Sequence, residues 1–98
     1  MSEKKYEITL DINKTITRLV GNQYGKEICE NQILPHADEK KIKLVFPETI
    51  NSVAISFVEG MISGLSSKMS REEFYNRIDI VGNEQVVRKI KDVVKARI

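Results

Sequence analysis

Residues that usually carry catalysis and metal binding are nearly missing from this chain. Its 98 residues include one cysteine, Cys29, one histidine, His36, and no tryptophan. A single cysteine excludes an intramolecular disulfide and a cysteine-built zinc site, and makes a reducing compartment the default. Cys29 and His36 lie at opposite ends of one segment with no third ligand or base nearby in sequence. A Cys–His nucleophile would also need an orienting group and an oxyanion site. The carboxylate pairs Glu72-Glu73 and Asp38-Glu39 fall in a helix start and a polar loop, where solvation explains them. The expectation is therefore no enzyme, no metal and no cofactor. Long apolar runs are absent as well, and none approaches the roughly 18 residues of a membrane span. Behind Met1–Lys5 there is no apolar stretch of the kind a secretory signal carries. A cytoplasmic protein without a membrane is expected.

What is present is ordinary globular material. Apolar residues make up 41% and charged residues 31%, with a net charge of only +2, which excludes disorder as the main reading. The length fits one domain spanning residues 1–98. The charge is uneven: Arg88, Lys89, Lys91, Lys95 and Arg97 face only Glu84 and Asp92 in the last sixteen residues. A basic patch is one footprint of a nucleic-acid partner, but basic residues late in a helix also complement its dipole. With the rest of the chain balanced, nucleic acid is the weaker expectation.

The apolar pattern alternates along the chain between period two and period 3.6. Tyr6, Ile8, Leu10 and Ile12 alternate with polar residues and predict a half-buried strand. Thr15–Val20 predicts a short second strand. Gly21 breaks the chain, and Asn22 is placed to cap a helix running to about Ile33, with Tyr24, Ile28 and Cys29 on its apolar side. Leu34-Pro35 should end it, because a residue before proline avoids the helical region. After a polar loop from His36 to Lys41, Ile42, Leu44 and Phe46 mark a strand that Val45 makes apolar on both faces, as an interior strand is.

From about Ser52 the spacing of Ala54, Phe57, Val58, Met61, Ile62 and Leu65 predicts a helix with one core stripe. Its other side, Ser56, Gly60, Ser63, Gly64 and Ser67, is small, with Glu59 beside it. Glycine inside a helix costs about 1 kcal/mol relative to alanine, so another backbone or a partner must approach there. Ser70 and Glu73 form a capping box opening a short helix with Phe74 and Tyr75. Arg77–Val81 alternates as a strand, and Asn83 caps a last helix lined by Val87, Ile90 and Val94. The fold expected is α/β, a mixed or parallel sheet of about four strands packed by three main helices.

Three colinear segments carry a family likeness: GNQYGKEICENQILP (Gly21–Pro35), SFVEGMISGL (Ser56–Leu65) and MSREEFYNRIDIVG (Met69–Gly82). In them the chain resembles the bacterial STAS-like domain family of unknown function. It departs from that pattern at Tyr24-Gly25 and at Val45-Phe46-Pro47. It is more distantly similar to the STAS domain of anti-sigma factor antagonists. There, a central strand leads into a helix opening Asp-Ser-Ser-Gly. Here that place holds Ala54-Ile55-Ser56-Phe57, with Ile55 at the phosphoacceptor position and Ser56 beside it.

The resemblance implies a domain that regulates by docking onto a protein, with no chemistry of its own; the sequence leaves the oligomeric state open, a homodimer included. The expected contact surface is Ile55, Ser56, Glu59, Gly60 and Ser63, with Ser56 a candidate phosphoacceptor near a helix N-terminus. The alternative is a small nucleotide- or nucleic-acid-binding protein using Gly21, Asn22, Gly25 and Lys26 as an anion-binding turn, although no Lys-Ser/Thr follows as in a P-loop. A phage-encoded inhibitor would present the same docking features.

Overall fold

The computed structural model describes residues 6–97. The first strand, β1 (Tyr6–Thr9), starts where the alternating pattern does. It is shorter than that pattern, although Leu10 still donates its N–H to Val45 O at 3.0 Å and Leu10 and Ile12 remain buried. The remaining strands are β2 (Arg18–Leu19), β3 (Ile42–Val45), β4 (Ser52–Val53) and β5 (Ile78–Val81); the helices are α1 (Asn22–Ile28), α2 (Ile55–Ser66), α3 (Arg71–Arg77) and α4 (Glu84–Arg97).

β1, β3 and β5 form a parallel sheet in that order, with Ile8, Leu44 and Ile80 aligned across it. β3 is central, as its two-sided apolar character predicts. Parallel neighbours require crossover connections. Successive right-handed crossovers moving in one direction put their helices on the same side of the sheet. The burial follows: Ile8, Ile42, Leu44, Ile78 and Ile80 share one core cluster with Ile28, Phe57, Met61, Phe74 and Ile90 from the helices. The opposite face, with the row Glu7, Lys43, Asp79 above the row Thr9, Val45, Val81, is exposed or half-buried. Parallel sheets are usually covered on both sides. This one is open on one, and charge alternates along its first row, where Lys43 Nζ lies 3.6 Å from Glu7 Oε1.

β2 and β4 make a second, two-residue parallel pair, bracketed by Asn51 N–H to Thr17 O (2.9 Å) and Ala54 N–H to Leu19 O (2.8 Å). β4 occupies Ser52–Val53, where helix was expected, and α2 starts at Ile55. Two paired residues leave no period to read, and their pairing depends on a partner more than thirty residues away. The core stripe of α2 is otherwise as predicted: Phe57, Val58, Met61, Ile62 and Leu65 are buried.

α1 departs from expectation at both ends. Gly21, not Asn22, is the residue before its first turn. At the other end the α-helix stops at Ile28, but the chain stays helical through a wide π-turn, Cys29–Ile33, and a short 3-10 turn, Leu34–His36. Leu34 therefore keeps a helical backbone (φ −57°, ψ −34°) despite preceding Pro35. Early in a 3-10 turn the N–H that proline lacks would have no helical partner anyway. The altered winding carries both Cys29 and Ile33 into the core. It also aims Gln32 at the segment after β1, where its Oε1 accepts from Asp11 N–H (2.6 Å) and its Nε2 donates to Asp11 O (3.1 Å).

Candidate interaction surface

The small-residue face of α2 is largely filled from inside the fold. A Cβ on Gly60 would lie 2.0 Å from Asn22 O, and one on Gly25 would lie 2.1 Å from Phe57 O. The backbones of α1 and α2 therefore touch at two glycines, one supplied by each helix. This is the close approach that the glycine-rich pattern requires, met by the chain's own helix. Gly60 is buried and leaves the expected contact surface, which corrects its placement there. Gly64 is also occupied: a Cβ there would come within 2.9 Å of Cys29 Sγ.

The same contact corrects the anion-binding turn. Gly25 is buried against α2, and its N–H is donated to Gly21 O at 3.1 Å. Gly21 N–H is donated to Ser56 Oγ at 3.2 Å. Two of the amides that would hold a phosphate thus have partners within the protein. Gly21 does need glycine, with φ at +105°. That conformation turns the chain from β2 into α1. Asn22 and Lys26 are exposed on α1, but with Gly25 buried and both glycine amides engaged they do not form a cradle.

Ser56 is half-buried and holds Gly21 through its hydroxyl. Glu59 is half-buried, and Ser63 is exposed with its hydroxyl donated back to Gly60 O at 2.9 Å. Ile55 stands out. It occupies the first turn of α2, yet 46% of it is exposed while Phe57 and Val58 beside it are fully buried. A shallow cavity of about 240 Å³ adjoins it, lined further by Lys89, Asp92, Val93 and Ala96 of α4. Val20, 52% exposed, follows β2 in the segment leading to Gly21. Of the five expected contact residues the structure therefore leaves Ile55 and Ser63 exposed, Ser56 and Glu59 partly so, and Gly60 inside. The α4 residues around Ile55 were missed, because only the tertiary approach of α4 to α2 brings them together. Val20 was legible as an apolar residue ending a strand just before a glycine break.

The remaining chemistry-bearing residues have structural partners. Cys29 is fully buried. Burial, with a smaller contribution from the Glu30 carboxylate, pushes its thiol up to about 11, opposite to the shift of a reactive thiolate. His36 stacks on Tyr6 with ring centroids 4.4 Å apart. Arg77 Nη2 donates to the carbonyls of Ala37 and Glu39, the latter at 2.7 Å, and Nη1 lies 3.8 Å from Glu73 Oε2, so α3 holds the loop before β3. Among the described residues no three His, Cys, Asp or Glu side chains are grouped to hold a metal, and no helix is long and apolar enough to cross a membrane. Comparison with family models, with curated proteins and with solved structures finds no match to this chain.

Proposed function

We propose that this chain is a non-enzymatic regulatory module of the STAS-like kind, one domain that acts in the cytoplasm by docking onto a protein partner. The observation that supports it most is Ile55, an aliphatic side chain left nearly half exposed at the start of a helix in which Phe57 and Val58 are fully buried. A single large apolar group beside a shallow cavity is a suitable anchor, because a few such groups carry most of the binding energy at protein interfaces. Ser56 supplies a means of control. Its hydroxyl accepts the Gly21 N–H, and a phosphate there would add about −1.5 to −2 charge beside Ile55 and displace that contact.

Affinity capture followed by mass spectrometry, run in parallel on the wild type and Ile55→Asp, tests the reading. Asp at the first turn of a helix is electrostatically favourable, and the site is exposed, so the variant should fold normally. The expected outcome is a protein retained by the wild type and lost by Ile55→Asp at unchanged melting temperature. An identical retained set would remove Ile55 as the anchor.

A further inference from the structure

We propose that the open edge of β5 accepts an extended acidic peptide as an added strand. Among the described residues β5 pairs only with β3. Phe46 N–H donates to Val81 O at 2.8 Å, which fixes the backbone groups of Val81, and by alternation those of Asp79, toward β3. The N–H and C=O of Ile80, the C=O of Ile78 and the N–H of Gly82 consequently face away from the sheet. Ile78 N–H is not among them, being donated to Phe74 O at the end of α3. A cavity of about 380 Å³ runs along this edge, lined by Lys41, Tyr75, Asn76, Asp79, Ile80 and Lys91 among others.

Its charge selects the occupant. Lys91 is exposed and has no partner among the described residues, and Lys95 continues its stripe along α4, whereas Arg88 is paired with Glu84 at 3.2 Å. Lys41 Nζ donates to Asn76 O at 2.7 Å and remains a cation at the groove wall. Arg77, also in the wall, is committed to carbonyl oxygens and Glu73. Against these cations stands Asp79, which lies beside Lys43 in the register of the outer face; Glu84 is engaged by Arg88, and Asp92 follows Lys91 on α4. Tyr75, 45% exposed, offers a ring against which an incoming side chain can pack.

An added strand gains affinity from main-chain hydrogen bonds and specificity from alternate side chains. The edge presents both donors and acceptors, which another backbone matches and a polynucleotide does not. A second copy of this chain would bring Lys91 and its neighbours against the same cations.

The test is selection of a displayed library of random eight-residue peptides on the full chain, followed by amide hydrogen exchange of the chain with the strongest peptide. Enrichment of Asp or Glu at alternate positions is expected. Ile80 and Gly82 amides should exchange at least about tenfold more slowly in the complex. Lys91→Glu, at an exposed site, should weaken binding roughly tenfold, whereas Ile55→Asp should bind like the wild type, which separates this site from the Ile55 surface. Selection of no peptides or of non-acidic ones, unchanged Ile80 exchange, or equal protection by a single-stranded oligonucleotide of matched charge would overturn the proposal. Protection arising from self-association without peptide would overturn it too.

Discussion

At the scale of single residues, Cys29 shows how burial decides chemistry. In sequence it is a lone thiol with a histidine seven residues on. In the fold it is sealed beneath Gly64 and Leu65, with its thiol raised from 9.0 to about 11. The sign of the linkage follows from that shift. The folded state holds the proton more tightly than the unfolded chain, so the stability associated with neutral Cys29 is complete below pH 9 and is lost as pH rises toward 11. Denaturant unfolding across that window should show a downward slope that Cys29→Ala removes, although the variant itself starts less stable because of the cavity it creates. A thiol-alkylating reagent at neutral pH should label the native protein far more slowly than the unfolded one.

The elements show which signals a sequence carries alone. α3 was readable at its start: Ser70 Oγ accepts from Glu73 N–H at 3.2 Å, and Glu73 Oε1 accepts from Ser70 N–H at 3.3 Å. Ser70→Ala should cost about 1 kcal/mol in equilibrium unfolding, the usual loss for a removed cap. A loss indistinguishable from zero would show that Phe74 packing alone defines that helix start. Asn83 was equally legible, since its Oδ1 accepts from Gln85 N–H at 2.9 Å at the head of α4. Caps and periodic stripes are local signals; those at Ser70 and Asn83 and the stripe of α2 match the structure, whereas the cap expected at Asn22 falls to Gly21. β4, the π-turn after Ile28 and the α4 side of the Ile55 cavity depend on partners 21 to 41 residues away, so no local pattern announces them. Gly60 falls between these cases. Its need for a close neighbour was evident from glycine in a helix, but the identity of that neighbour, Asn22 of α1, was not.

For the whole molecule, the arrangement is a helical layer packed on one face of a three-stranded parallel sheet, with the other face open. The helices are locked to one another by the paired approach at Gly25 and Gly60 before any outside surface is considered. That contact fills the small-residue face of α2 from within the chain, one of the two occupants its glycines allowed, and leaves Ile55 exposed beside it. Two residues five positions apart on one helix thus take opposite places, Gly60 packed inside and Ile55 exposed where docking is proposed.

The most direct measurement of that separation is denaturant unfolding of Gly60→Ala and Ile55→Asp beside the wild type. A methyl at Gly60 meets the Asn22 backbone, which cannot rotate away, so Gly60→Ala should lose about 2–3 kcal/mol. Ile55→Asp should remain within about 0.5 kcal/mol of the wild type. A Gly60→Ala protein as stable as the wild type, or an Ile55→Asp protein that loses several kcal/mol, would contradict the account.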